Sequence, residues 1–378
     1  MRFLFTCGGT AGHINPAIAV AGRLRELLPD SSFLFVGAEG NMEQELVPRE
    51  GYEIKLVSVY SLHRSLAPKD IVHNIKAAYM LQVSSRQSRE IIESFKPDVV
   101  IGTGGYVCYP VIRMAHRMGI PTLIHESNAF PGLTTRRLEG IADVIMVGFE
   151  ESRRYYKNPG KVTVTGTPVR GDFLRWDKES AKKSLGIDRP LVVSFWGSLG
   201  AKYMNEITAD LIKLNWEKGF FTHIHATGNG EEGLKRMYAM LAERGVVNEK
   251  DSGIDIRPYI FDMPKVMAAA DLIICRAGAS TIGELTLMGK PAILVPSPYV
   301  TNNHQEKNAM VLAKRGGAVL IREPECSGEL LFETVCEILN SPGRLETMSA
   351  RMKELSKPDA TDKITETILE LAEKYGKR

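Results

Sequence analysis

The stretch Met1 to Pro16, MRFLFTCGGTAGHINP, passes from an apolar segment directly into glycines. Arg2 to Thr6 has the length and the Phe/Leu content of a buried strand. From Ile14, apolar residues recur at helical spacing through Leu28. Strand, glycine turn and helix start therefore follow one another without a break. Pro16 is tolerated because the first helical turn needs no backbone donor there. Gly8, Gly9 and Gly12 let the backbone come close to a ligand, and the helix start behind them favours anionic or electron-rich oxygen. His13 is the ionisable side chain of this turn. The glycine spacing departs from the dinucleotide fingerprint, which also needs an acid about twenty residues on. A plainer reading stays open, in which the glycines only make a tight turn and His13 bonds locally.

Working outward, short apolar runs alternate with helical stretches: Ser32–Gly37, Gly51–Val59, Val99–Gly102, Pro121–His125 and Val144–Val147. Runs that are apolar on both faces imply a parallel sheet covered by helices on both sides. The rhythm restarts at Leu191–Phe195 and continues through Thr222–Ala226, Leu272–Cys275, Ala292–Val295 and Ala318–Ile321. Two α/β domains facing across a cleft are expected, with a linker near Gly166 to Asp172. From Leu330 the chain reads as helical through Tyr375, broken by Pro342 and Pro358. The 378-residue length suits two domains. Hydrophobic residues at 44% and charged ones at 25% are ordinary for a globular protein, and a net charge of +3 argues against a general nucleic-acid surface. Five scattered cysteines suggest neither a disulfide framework nor a metal cluster. No apolar run is long enough to span a bilayer, and the opening pattern is not that of a signal peptide.

Several strand ends carry polar chemistry. Gly102-Thr103-Gly104-Gly105-Tyr106 should lie beside the first glycine loop, and two such loops can cradle a pyrophosphate through backbone amides. His125-Glu126-Ser127-Asn128 adds side chains at the same rim, although Glu126 could equally cap a helix. In the second half, Trp196-Gly197-Ser198-Leu199-Gly200-Ala201 and Arg276 to Glu284 each end a strand and open a helix. Ser280 and Thr281 can donate at that helix start, and Glu284 can accept from the paired hydroxyls of a ribose. The polar run Asn302 to Asn308 suits sugar hydroxyls or a plain exposed loop. No sequence pattern implies a bound metal or cofactor, and neither a GxSxG elbow nor a Walker lysine is present. The basic, apolar-striped stretch Leu62 to Arg89, with Lys69, Ile71, Ile75, Lys76, Tyr79 and Arg86, reads either as contact with anionic membrane or as a helix packed on its own sheet.

The ordered set GGTAGHINP, GTGGY, HESNAFPGLTT, GTPVR, GSLGA, CRAGASTIGEL and HQEKNA resembles the bacterial peptidoglycan glycosyltransferases that add N-acetylglucosamine to lipid I. The resemblance covers nearly the whole chain. It implies an α/β fold of the GT-B type, with two Rossmann-like domains whose parallel sheets face across a cleft. Residues 1–165 would form the acceptor and membrane-facing domain, joined by a returning C-terminal helix at 357–378. Residues 166–356 would hold the UDP-sugar donor. The implied reaction is inverting transfer from UDP-N-acetylglucosamine to the C4 hydroxyl of the muramoyl sugar of undecaprenyl-pyrophosphoryl-MurNAc-pentapeptide, giving lipid II. The enzyme would sit peripherally on anionic lipid at the cytoplasmic side of the cell membrane, with no nucleic-acid partner.

Carried onto this sequence, the resemblance assigns Thr10, Ala11, Gly12, Gly104, Gly105 and Tyr106 to the acceptor pyrophosphate. His13 becomes the candidate base, with Glu126, or a water held by Asn128, as the competitor. Arg170, Ser198, Ile260, Arg276, Ser280, Thr281, Glu284, Gln305 and Asn308 fall at donor positions, with the amides and helix start of the third glycine loop and Arg276 meeting charge on the leaving UDP. Two departures stand out. The third loop usually reads GGSQGA but has Trp196 and Leu199 here, and the usual paired glutamines near the sugar are His304-Gln305. A second GT-B transferase with another acceptor, or a nonenzymatic nucleotide-sugar-binding scaffold, remains an alternative. The scaffold reading would gain if Trp196 obstructed the diphosphate site.

Overall fold

The structure, a computed structural model, describes residues 1–59 and 68–376, with side chains except at 68–78, 301 and 376. The chain divides into two compact units, Met1–Arg170 with Lys357–Arg378, and Gly171–Ser356.

The first unit is built on seven strands: β1 (Arg2–Cys7), β2 (Ser32–Ala38), β3 (Glu53–Val57), β4 (Val99–Gly104), β5 (Thr122–Glu126), β6 (Val144–Val147) and β7 (Val162–Val164). They form one parallel sheet in the order β3-β2-β1-β4-β5-β6-β7. Alternation along β1 explains both faces. Phe3 and Phe5 pack with Ile14, Ile18 and Leu24 of the helix Ala11–Leu27, whereas Leu4 joins Val100, Ile112 and Ile124 on the other side. The strand order reverses between β1 and β4, and at such a switch point the crevice beyond the carboxyl ends of the strands takes ligands. The β1–β4 register slips between Thr6 and Cys7, which pair with Gly102 and Gly104. This irregularity leaves Thr103 out of the ladder, and its hydroxyl donates to the His13 carbonyl at 2.7 Å.

The last helix, Ala360–Gly376, closes the first face. Ile364, Ile368, Leu371 and Ala372 enter the core that holds Phe3 and Phe5. Arg23 bonds Asp362 at 2.7 Å, and the Tyr375 hydroxyl donates to Asp143 at 2.9 Å. Residues 166–170, placed in the second domain by the sequence reading, pack here. Gly166, at φ +89°, lies against Lys357 and Ala360, and Thr361 donates to the Val169 carbonyl at 3.1 Å.

The second unit has six parallel strands: β8 (Leu191–Phe195), β9 (Thr222–Ala226), β10 (Ile254–Arg257), β11 (Leu272–Cys275), β12 (Ala292–Leu294) and β13 (Ala318–Leu320). Their order is β10-β9-β8-β11-β12-β13, so the switch falls between β8 and β11. Two edge strands, β7 and β10, have no counterpart among the expected ones. Each is short and pairs on one side, and its alternating burial lacks the continuous apolar run of a central strand. The helical tail resolves into Gly328–Asn340, Arg344–Glu354 and Ala360–Gly376, interrupted near both prolines.

Candidate active site

In the first unit, β1 and β4 deliver their glycines to the same place. Gly8 N donates to Gly104 O at 3.1 Å, and a side chain at Gly105 would collide with the Gly8 carbonyl, 2.5 Å from where its Cβ would be. The His13 ring lies against Gly104, whose φ of +123° and lack of room for a Cβ both require glycine. His13 Nδ1 is 2.9 Å from Gly8 O and 3.4 Å from Thr10 Oγ1. A carbonyl can only accept, so Nδ1 carries the ring proton and Nε2 keeps its lone pair when the ring is neutral. Thr10, Ala11 and Gly12 form the start of the helix behind this loop, and Tyr106 stands half exposed beside it. The acceptor-side set Thr10 to His13 with Gly104 to Tyr106 is thus brought together.

Glu126 and Asn128 end β5 in the same unit. Glu126 is 4% exposed, and its carboxylate accepts from Asn128 N and Nδ2 at 3.0 Å, Gly132 N at 2.8 Å and Thr135 Oγ1 at 2.9 Å. Four donors on two oxygens make it a brace for the 126–135 loop rather than an open base. Buried His125 is held neutral: burial lowers its pKa, while its ring contacts the Gly166 carbonyl at 2.9 Å. Arg170, assigned to the donor set from sequence, lies in the first unit and pairs with Glu50 at 3.1 Å.

The sequence offered no sign of Glu43. It opens the short helix Glu43–Arg49, is fully buried, and bonds Ala38 N at 2.9 Å and Gly9 N at 3.0 Å. A cavity of 340 Å³ adjoins it, lined by Gly8, Gly9, Glu39, Asn41, Glu43 and Tyr106 among others.

In the second unit, Ser198, Leu199 and Gly200 form the loop between β8 and the helix Lys202–Lys218. Gly197 and Gly200 take left-handed φ of +85° and +67°, and a Cβ at Gly200 would strike the Thr227 carbonyl. Trp196 does not stand over this loop. It is 3% exposed, packs in the core with Met204 and Leu211, and donates from Nε1 to Thr208 Oγ1 at 2.9 Å. Leu199, where a glutamine is usual, projects outward and is 72% exposed.

Arg276 ends β11 but is largely buried. It donates to the Val295 carbonyl at 3.0 Å, pairs with Glu323, and lies 5.7 Å from the Trp196 ring centroid. Its charge is therefore partly balanced inside the unit by Glu323. Glu323 could not have been singled out, because nothing local marks it among the acids of EPE. Ser280 is buried, while Thr281 and Glu284 are half buried on the helix Ala279–Met288. Gln305 Oε1 accepts from Ser297 N at 2.9 Å. Asn308, expected at sugar hydroxyls of the donor, is wholly buried and donates to Ala277 O at 3.2 Å, bracing the loop after β11. Ile260 is buried between exposed Tyr259 and Phe261. Ser198, Arg276, Ser280, Thr281, Glu284, Gln305 and Asn308 thus belong to loops or helices following β8, β11 and β12, with Ile260 beyond β10.

Of the basic stripe, the side chains of Lys69, Ile71, Ile75 and Lys76 lie outside the described residues, as does 60–67 altogether. Tyr79 is 66% exposed on the helix Pro68–Phe95, and Arg86 and Arg89 pair with Glu90 and Glu93 at 3.0 and 2.7 Å. Among the described residues no helix is long and apolar enough to cross a membrane, and no group of three or more His, Cys, Asp or Glu is placed to hold a metal.

Residues 3–147 match the glycosyltransferase family 28 N-terminal domain, and residues 191–364 match the family's C-terminal domain. A UDP-N-acetylglucosamine--N-acetylmuramyl-(pentapeptide) pyrophosphoryl-undecaprenol N-acetylglucosamine transferase of Acetivibrio thermocellus is 43% identical over 374 residues, covering 98% of each chain. The protein of that name from Listeria monocytogenes is 38% identical over 98% of this chain and 99% of its own. The crystal structure of Acinetobacter baumannii MurG superposes with a TM-score of 0.72 at 26% identity, covering 98% of this chain and 99% of that one. A Neisseria meningitidis UDP-GlcNAc 2-epimerase, TM-score 0.64 at 15% identity over 98% and 100%, shares the fold. With two parallel-sheet units of the GT-B type and relatives matched end to end, this chain belongs to glycosyltransferase family 28, among its MurG-type N-acetylglucosamine transferases.

Proposed function

We propose that this protein transfers N-acetylglucosamine from UDP-N-acetylglucosamine to the C4 hydroxyl of the muramoyl sugar of lipid I, with inversion, releasing UDP and forming lipid II. The near-full-length identity to transferases of that name supports the substrates. The observation that carries the chemistry is the His13 ring, proton on Nδ1 and lone pair on Nε2, seated between the two glycine loops at the switch of the first sheet. Nε2 takes the hydroxyl proton as the oxygen attacks the anomeric carbon and the bond to UDP breaks. The acceptor pyrophosphate lies on the amides of Thr10 to Gly12 and Gly104 to Tyr106, at a helix start that favours anions. Charge on the leaving UDP is met by the third-loop amides at the start of the helix Lys202–Lys218 and by Arg276. Glu284 holds the ribose diol, and Ile260 sits at the uracil. Buried Trp196 leaves the loop face open, which takes away the reason for a nonenzymatic scaffold.

We infer that association with the cytoplasmic membrane face runs through the helix Pro68–Phe95, in which Arg86 and Arg89 have acidic partners. The test is mass-spectrometric detection of a disaccharide product from UDP-N-acetylglucosamine and a lipid I analogue, with the linkage anomer read by NMR. Folded protein that binds UDP but forms no β-linked product would overturn the proposal.

A further inference from the structure

The loop that seats His13 has an unusual support. Gly9 has a left-handed φ of +83°, and a Cβ built there would meet nothing within 4 Å. A Cβ at Gly8, by contrast, would meet the Glu43 carboxyl group and Val107 Cγ1, so the Glu43 side chain packs directly against the turn. On one flank lies the 340 Å³ cavity, and on that side Gly9 N–H donates to Glu43 Oε2 at 3.0 Å. Gly8 C=O and Gly9 N–H are the two ends of a single planar peptide unit, and no cis peptide bond occurs among the described residues. The Gly8 carbonyl accepts from His13 Nδ1 at 2.9 Å. Glu43 and His13 thus grip opposite ends of one rigid plane. Rotating that plane about its flanking bonds, which two adjoining glycines would otherwise permit cheaply, breaks both contacts together.

We infer that Glu43 is a positioning residue for His13. It orients the Gly8–Gly9 peptide so that the Gly8 carbonyl holds the proton on Nδ1 and leaves Nε2 as the acceptor. The second carboxylate oxygen anchors Glu43 itself to Ala38 N at the end of β2, so the setting is referred to the sheet and not to the loop. The carboxylate is fully buried and makes no ion pair among the described residues. Both of its oxygens face backbone donors, an arrangement that suits orientation. The inference rests on the proposed role of His13 only for its effect on rate. Its effect on the ring stands independently.

The experiment is Glu43→Gln in the full-length protein, labelled with ¹⁵N-histidine. The amide keeps the shape but can offer an oxygen to only one of the two N–H groups. The His13 resonances are assigned by comparison with His13→Gln. The expected result has two parts: the neutral His13 ring moves from the Nδ1–H toward the Nε2–H tautomer, and kcat falls about ten- to a hundredfold with donor KM unchanged. A His13 tautomer that is the same in folded Glu43→Gln and wild type overturns the inference, whatever happens to kcat, because a purely structural Glu43 would lower stability without moving the ring proton. If instead the tautomer shifts but kcat does not, the positioning stands and the base assignment to His13 fails. Should Glu43→Gln not fold, Gly9→Ala disturbs the same peptide without touching the buried carboxylate, since its Cβ enters open space while its φ is strained. The same tautomer shift is expected, and its absence overturns the inference.

Discussion

A neutral imidazole accepts a proton only through the nitrogen that carries none, and the Gly8 carbonyl makes that nitrogen Nε2 in His13. Replacing His13 with Gln keeps a polar group of similar reach but removes the base. We expect kcat to fall by about 10²–10⁴ with donor affinity unchanged, measured with chemistry rate-limiting. A fall smaller than about fivefold would remove the assignment. Glu126 should behave differently. Its four internal donors belong to the loop that carries Asn128, so Glu126→Gln unpairs buried N–H groups and should lower stability by about 1–3 kcal/mol. Calorimetry should show the lower Tm, and the folded fraction should keep most of its kcat. An abolished kcat at unchanged Tm would return Glu126 to the list of bases. Whether a carboxylate is open or engaged depends on neighbours six and nine residues away, which is why the sequence left both roles standing.

Elements differ in how much of their behaviour is local. In the helix Pro68–Phe95, the i,i+4 pairs Arg86–Glu90 and Arg89–Glu93 could be read from spacing once the helix was assumed, and they change the electrostatics of the stripe. Reversing Lys69, Lys76 and Arg86 to Glu should weaken binding to phosphatidylglycerol vesicles by about 1 kcal/mol or more per charge. Vesicle co-sedimentation at fixed salt checks this, and binding equal to wild type in the reversed variant would show that the stripe is only internal packing. The C-terminal helix Ala360–Gly376 shows the opposite case. Its Ile364, Ile368 and Leu371 spell an amphipathic helix in any context, but the sheet they cover is formed by residues more than two hundred positions earlier.

At the scale of the whole molecule, the second unit carries a buried polar chain. Ser194 Oγ lies 2.8 Å from His223 Nε2 and 2.7 Å from His225 Nδ1, and His225 Nε2 is 3.3 Å from Asn205, which in turn holds the Thr227 carbonyl at 2.9 Å. Burial pushes both histidines down to about 3. Unfolded, each would protonate near 6.5. Between those values the unfolded chain binds more protons than the folded one, so stability rises with pH. The contribution is complete above about pH 6.5 and is lost as pH falls toward 3, at up to about 1.4 kcal/mol per pH unit for each histidine. Thermal melts from pH 7 to pH 4.5 should show a declining Tm, and His223→Leu should flatten the slope. An identical pH dependence in that variant would exclude the mechanism.

The sequence by itself determined the elements that depend on neighbours along the chain: the central strands, apolar on both faces, the glycine turns that end them, and the helices whose periodicity follows. It also determined the family, through motifs whose order survives without any knowledge of contacts. Tertiary structure decided what depends on residues far apart in the chain. The order of the strands placed the glycine loops of β1 and β4 together, and buried Trp196 beneath its loop instead of over it. It turned Arg276 toward Glu323 and brought Glu43 under Gly9, thirty-four positions away. A side chain's environment is set by what the fold packs around it, and a carboxylate or guanidinium reads the same in the sequence whether it faces solvent, a ligand or a buried partner.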